Sequence, residues 1–185
     1  MENRFKKLEI EDVYVFTPRK FSDDRGVFFE NFNYLDFNTT SGHKIDVVQE
    51  NISISKKNVI RGMHFQRENF AQSKLVSVVK GKIFDVMVDI RNDSKTFGCW
   101  ISYFLDAKDS ESIFIPSGFA HGFLALEEET VISYKVDKPY KRDYECCLLW
   151  NDKSINIEWP VTKPLLSSKD IKGHTFTNLK NCKLI

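Results

Sequence analysis

Apolar and polar residues alternate with a period of two along much of the chain, the spacing that sends successive side chains to opposite faces of a strand. Residues 75–80, 82–90, 100–105 and 131–136 carry the pattern most clearly. All four runs are short, rich in β-branched and aromatic residues, and bounded by turn formers. Residues 47–55, 112–115, 121–126 and 146–150 extend the series, and Lys80-Gly81 reads as the turn of a hairpin. Helical signals are confined to residues 34–39 and 168–171. Many short strands at close spacing predict an all-β sandwich or small barrel. A less regular tail is expected from about residue 160. No internal repeat, low-complexity tract or linker interrupts the pattern, and 185 residues suit a single domain spanning 1–185.

Polar residues interrupt these strands at places where a packed barrel expects apolar ones. Gln49, Asn51 and Ser53 share one strand face; Arg61 and His64 sit in Val59-Ile-Arg-Gly-Met-His-Phe-Gln66; His121 sits in Gly118-Phe-Ala-His-Gly-Phe123. Lys74 precedes an apolar run, and Tyr134 and Glu145 lie further on. If they converge, they line a wet pocket inside the barrel. Each also has a bland reading. Gln49, Asn51 and Ser53 read as a solvent face, Lys74 as a strand-edge lysine, Arg61 as a surface arginine. Tyr134 and His121 read as core residues with satisfied polar atoms, and Asp170 as a helix cap or a surface carboxylate. Gly62 and Gly122 mark a bulge, or a close approach of backbone or ligand.

Pro116-Ser-Gly-Phe-Ala-His121 is more specific: it fits the second cupin motif, PxGxxH. The first cupin motif supplies two histidines and a glutamate to a metal. Here His64-Phe-Gln66 stands in its place, and Phe70 and Ala71 occupy the glutamate's position. Two histidines and a glutamine are a poor transition-metal set. The expectation is a cupin-like jelly-roll barrel with a few short helices, carrying acid–base groups and no metal.

Charge narrows the partners. Lys+Arg 27 against Asp+Glu 26 leaves a net charge of +1, no electrostatic footprint for nucleic acid or an anionic membrane. Residues 1–7 carry mixed charge with no apolar run behind them, so no secretory signal is expected. The cysteines, Cys99, Cys146, Cys147 and Cys182, form no CxxC pair and read as reduced, mostly buried thiols of a cytoplasmic protein. Sixteen phenylalanines predict an aromatic-lined interior.

Several of these segments follow the order of a known family. Phe21-Ser-Asp-Asp-Arg25-Gly-Val-Phe-Phe-Glu30 is similar to its FxDxRGxFxE segment. Val48-Gln49-Glu-Asn51-Ile-Ser53 and Arg61-Gly-Met-His64-Phe-Gln66 are similar to VQxNxS and RGLHxQ. Gln72-Ser-Lys74, Asp85-Val-Met-Val-Asp89-Ile-Arg91, Thr96-Phe-Gly98 and Pro116 to His121 continue it. Tyr134, Tyr140, Glu145 and Trp150 keep its spacing, and Leu166-Ser-Ser-Lys-Asp170 closes it. Any one motif is weak, but nine in order are specific. From about Phe16 to Asp170 the chain resembles the dTDP-4-dehydrorhamnose 3,5-epimerases of the cupin superfamily.

The resemblance implies roles. His64 would be the catalytic base, Asp170 its partner, Tyr134 the acid on the opposite face, and Lys74 the group that polarises the substrate. Arg25, Glu30, Gln49, Asn51, Arg61, His121 and Glu145 would line the sugar and nucleotide sites. The family is dimeric, its N-terminal segment crosses to the partner subunit, and it needs no metal or organic cofactor. Its substrate is a nucleotide-linked 4-keto-6-deoxy sugar. The chemistry suits these residues. Hydrogens on C3 and C5 lie alpha to the ketone, and their removal leaves an enolate charge on O4. Inversion then needs a base on one face and an acid on the other. A neutral imidazole is a suitable base near neutrality, and an ammonium can meet the charge on O4.

Two departures widen the substrate question. Arg67-Glu-Asn-Phe70 stands where the family usually has a proline pair, and Gly173-His174 where a proline often follows the final KD. Related epimerases take GDP-linked 4-keto-6-deoxyheptoses, and some invert one centre, so such a substrate is the alternative. A 3,4-ketoisomerase, a metal-dependent cupin oxygenase and a non-catalytic sugar-nucleotide-binding cupin are the further rivals.

Overall fold

The computed structural model describes residues 4–185. Two antiparallel sheets carry almost all of the strands. The first has six, in the order β1 (Phe5–Lys7), β2 (Tyr14–Phe16), β10 (Ser112–Ile115), β7 (Lys74–Lys80), β12 (Thr130–Val136) and β5 (Gln49–Ser55). The second has five: β13 (Glu145–Cys147), β6 (Ile60–Gln66), β11 (Phe119–Ala125), β8 (Lys82–Asp89) and β9 (Trp100–Asp106). From β5 to β13 the chain passes from one sheet to the other at every connection but β8–β9, giving the expected all-β, cupin-like jelly roll.

That weaving overturns one expectation. Lys80-Gly81 joins β7 to β8, but these strands lie in different sheets, so it is a corner and not a hairpin turn. Gly81 has φ +84°, and a Cβ there would stand 2.6 Å from Thr130 Oγ1. Period two reports which face a residue takes, not which strand lies beside it.

Three apolar clusters hold the layers. Between the sheets pack Val76, Val78, Ile83, Met87, Ile113, Phe123 and Ile132, among others. Behind the five-stranded sheet, Phe84, Val86, Val88, Ala120 and Leu124 are covered by Ile155, Trp159, Leu166, Phe176 and Leu179 of the tail. This explains why β8 is buried nearly throughout and does not alternate. Outside the six-stranded sheet, Phe37 and Ile45 close over Phe5, Phe16, Leu75 and Phe114. Phe37 belongs to α1 (Tyr34–Ser41), which starts at the Asn33 cap and stops at Gly42, φ 71°. The phenylalanines therefore gather mainly on outer faces, and the expected aromatic-lined interior is corrected: aliphatic residues dominate between the sheets.

The tail begins earlier than expected. The last strand ends at Cys147, and isolated bridges Leu148↔His174 and Val59↔Leu165 stitch the tail to the sheet. The tail carries α2 (Ser168–Ile171) and α3 (Phe176–Asn181), of which α3 had no helical signal in its sequence. Cys146 and Cys147 are buried, whereas Cys99 and Cys182 are exposed, so only half of the thiols match the buried reading. One hairpin stands apart: among the described residues β3 (Lys20–Asp23) and β4 (Gly26–Phe29) pair only with each other, and Phe21, Val27 and Phe28 are exposed on it.

Candidate active site

Cross-strand register assembles the polar residues into facing rows. Directly opposed residues of an antiparallel pair point to one face. In the six-stranded sheet, Lys74 opposes Val136, which opposes Gln49. One step along, Val76 opposes Tyr134, which opposes Asn51. Val76 and Ile132 belong to the inter-sheet core, so this is the inner face. The residues between, Ile52 and Ile54, are exposed on the outside. The strand is thus turned opposite to the bland expectation: its polar side faces inward and its apolar side outward.

The five-stranded sheet answers with Met87, His121, His64 and Cys147 in one row. Arg61 opposes Phe123, which opposes Asp85, in the next. Arg61 and His64 are three residues apart, so in a regular strand they would face opposite ways. They oppose Phe123 and His121, which are only two apart. The extra residue is a bulge at Gly62-Met63, and it turns both side chains inward. Two glycines make room for it: a Cβ on Gly62 would come within 2.5 Å of Gly122 Cα. It is backbone, not a ligand, that these glycines admit.

Two histidine–carboxylate pairs lie side by side across β6 and β11. His64 Nε2 and Asp170 Oδ1 are 2.6 Å apart. Asp170 comes from the first turn of α2, whose Ser167 cap accepts from the Asp170 amide. Burial would raise the Asp170 carboxyl, but the hydrogen bond and charge of His64 hold it below the usual carboxylate range. His121 Nε2 and Asp85 Oδ1 are 2.8 Å apart, and Asp85 is fully buried with Oδ2 unpartnered among the described residues. Burial pushes His121 below the ordinary imidazole value, against the pull of Asp85.

Lys74 is buried too, and its ammonium donates to the His64 carbonyl at 3.1 Å. Burial brings it down to about 8, opposed by the charges of Asp85 and Glu145. Tyr134 faces the histidines from the other sheet. Burial raises its hydroxyl above the usual value, partly countered by Arg61 and Lys169. Among the described residues that hydroxyl makes no hydrogen bond.

At the rim, Arg61 Nε donates to Ser55 Oγ at 3.0 Å. Gln49 Nε2 donates to Asn51 Oδ1 and its Oε1 accepts from the Tyr140 amide. Glu145 accepts from the Tyr140 hydroxyl at 3.0 Å and pairs with Lys169. Gln66, the substituted cupin ligand, is fully engaged by backbone: its amide donates to Phe70 O and Pro139 O and accepts from Lys141 N. It braces the loops on either side and is not free to hold a metal.

Nine of the eleven expected site residues thus lie on the two inner faces, at their rim or in α2 beside them. Arg25 and Glu30 do not. Arg25 is 90% exposed in the side chain and bonds to Asp23 on its own hairpin, and Glu30 is exposed just beyond it. Asp85 and Lys169 had no assigned role. Asp85 had a signal: a carboxylate at an inward, period-two position of the apolar run Ile83-Phe-Asp-Val-Met-Val88.

The sequence model of the dTDP-4-dehydrorhamnose 3,5-epimerases matches residues 7–178. The chain belongs to that family. A Shigella flexneri dTDP-4-dehydrorhamnose 3,5-epimerase is 50% identical over 172 residues, 93% of this chain and 95% of that one. A solved dTDP-4-dehydrorhamnose 3,5-epimerase from Bacillus anthracis, with TDP and PPi bound, is 43% identical with a TM-score of 0.90, covering 93% of this chain and 98% of that one. The Legionella pneumophila dTDP-6-deoxy-D-glucose-3,5-epimerase, in complex with dTDP-4-keto-L-rhamnose, is 35% identical with a TM-score of 0.92, covering 98% and 96%. Family membership thus extends across both sheets and into α3, so the tail that supplies Asp170 lies within the family's boundaries.

Proposed function

We propose that this member of the family is a metal-independent 3,5-epimerase of a dTDP-linked 4-keto-6-deoxy sugar, acting in surface-glycan sugar synthesis. One observation carries the reading: His64 on one sheet, paired with Asp170 of α2, faces Tyr134 on the other, with the Lys74 ammonium beside His64.

Asp170 accepts from Nε2, fixes the tautomer and leaves Nδ1 as the base. His64 removes the proton alpha to the ketone, and the C–H electron pair becomes the enolate with its charge on O4. Lys74 stabilises that charge, and does so best below pH 8, where it is an ammonium. Tyr134, kept protonated by burial, delivers a proton to the other face. The cycle leaves an imidazolium and a tyrosinate, which reset by exchange with water. Arg61 presents a fork of donors suited to a diphosphate. Gln49, Asn51, His121 and Glu145 line the rest of the site.

We further read the protein as one domain that works as a homodimer in the cytoplasm. An isolated two-stranded hairpin is marginal in water, yet β3–β4 exposes Phe21, Val27 and Phe28. The outer edge strand β5 exposes Ile52 and Ile54. Apolar surface of this kind supports burial against a second copy, with Arg25 and Glu30 serving the partner's site. The four free cysteines suit a reducing compartment. Among the described residues no helix is long and apolar enough to cross a membrane.

Proton NMR in deuterated water, with dTDP- and GDP-linked 4-keto-6-deoxy sugars in parallel, tests the activity. Loss of the C3 and C5 proton signals from the dTDP hexose is expected. Exchange of the GDP-linked sugar alone would move the substrate assignment, and exchange of neither would overturn the reading.

A further inference from the structure

We propose that His64, Asp170 and Cys147 form an inhibitory zinc site, in which Zn2+ replaces the proton shared between the imidazole and the carboxylate. The ion takes no part in the reaction. The inhibition, though not the binding, rests on the reading of His64 as the base.

Three segments supply the donors. Cys147 on β13 stands directly opposite His64 on β6, so both side chains take one face of the sheet. Asp170 enters from α2. Its Oδ1 is 2.6 Å from His64 Nε2 and 3.9 Å from Cys147 Sγ. A ring nitrogen, the sulfur and a carboxylate oxygen lie within 4.8 Å of one another. Zinc holds nitrogen and oxygen at about 2.0–2.2 Å and sulfur at about 2.3 Å, with donors spread tetrahedrally. The N–O pair must open by about 0.7 Å to reach that spacing, whereas the S–O pair is within about 0.3 Å of it.

The donor chemistry selects the ion. One nitrogen, one oxygen and one sulfur suit zinc or cobalt and not magnesium or calcium, which take oxygen. Cys147 has little to lose, since its present partners are weak: Gly62 O at 3.7 Å and Leu148 O at 3.6 Å. Burial pushes its thiol up to about 12, so without a cation it is inert toward oxidants and alkylating agents. A bound divalent ion removes that proton outright. Three protein donors leave a fourth position for water. His64, with 30% of its side chain exposed, gives the ion a path from the pocket. Once zinc occupies Nε2, the neutral ring carries its proton on Nδ1, so the nitrogen that would act as base is no longer free.

The bland alternative is a thiol that merely fills space behind the pair, and the test separates the two. Cobalt(II) chloride alone is added to the full chain and the absorbance recorded. Wild type is expected to show a thiolate-to-cobalt charge-transfer band that Cys147→Ser lacks, although both keep the exposed Cys99 and Cys182. Zinc chloride is then titrated into the epimerase assay. Inhibition reversed by EDTA is expected, with the inhibitory concentration raised about tenfold or more in Cys147→Ser and Cys147→Ala, both of which keep metal-free kcat/KM within about twofold. Circular dichroism of the two variants identifies either one that fails to fold, and the other then serves. No cobalt–thiolate band, or equal zinc sensitivity of wild type and both variants, overturns the site. A band with undiminished activity in zinc overturns the inhibition, and with it the assignment of His64 as base.

Discussion

His64–Asp170 and His121–Asp85 are the same chemical pair in two settings, with the two histidines directly opposite each other on β6 and β11. His64 is 30% exposed in the side chain against 10% for His121. Asp170 comes from a helix 106 residues away, whereas Asp85 sits on β8, the strand next to His121. The first pair joins the sheet to the tail and opens to the pocket. The second is sealed within one sheet, with Lys74 close enough to perturb it. On the reading proposed above, exposure and origin, not residue type, set apart a base that must meet substrate from a buried pair that holds charge in place. A buried carboxylate that loses its partner is costly, so the inner pair should matter to stability and the outer pair to turnover.

That contrast breaks most readily at His64. His64→Ala is expected to lower kcat by about 10²–10⁴ and to abolish deuterium incorporation, with the melting temperature nearly unchanged. Turnover near wild type would remove His64 from the chemistry. His121→Ala should act mainly on stability, with a rise in KM from the site it also lines. It leaves Asp85 buried and unpaired, at a cost of about 3–5 kcal/mol, read as a melting temperature on the order of 10 °C lower. If His121→Ala melts like wild type, the inner pair is not the structural one. Asp170→Asn lies between, with activity down about 10²-fold or more, because a carboxamide cannot orient the imidazole as a carboxylate does.

Lys74 sharpens the comparison through pH. Its folded value is about 8, below the ordinary 10.5. Above pH 8 the folded protein has shed this proton while the unfolded chain still holds it. Stability from this group therefore rises with pH between about 8 and 10.5. Activity runs the other way, since the group that meets O4 loses its charge: kcat/KM should fall about tenfold per unit above pH 8. A flat profile through that window would separate Lys74 from the reaction. The smallest effect concerns the hairpin. Arg25→Ala should raise KM by about tenfold, as loss of one charged contact does. Mixed with the inactive His64→Ala chain under conditions that exchange subunits, it should regain activity, because one site of the heterodimer then combines an intact His64 with the partner subunit's intact Arg25. No recovery would mean that each hairpin serves its own chain.

Strand positions were legible, because alternation is local and the pleat enforces it, but which face of β5 turns inward was not: Asn51 reads as solvent-facing and points into the site. The corner at Gly81 was not legible either, because pairing partners are set by sheet packing. Nor was the shared face of Arg61 and His64. Counting by two sends them apart, and only the bulge at Gly62, fitted against Gly122, brings them together. Asp170 looked like a helix cap from its neighbours in sequence, and Ser167 is the cap. The motif order supplied the role that spacing could not.

By itself, the sequence determined the all-β class, most of the strands, the degraded metal set and, through its ordered motifs, the family. Each follows from short-range pattern or residue identity. The tertiary structure decided which strands are neighbours, where the aromatic side chains gather, and that two histidine–carboxylate pairs of unequal burial stand side by side. Those depend on contacts between residues far apart in the chain, such as His64 with Asp170, and on how completely the two sheets and the tail exclude water from each of them.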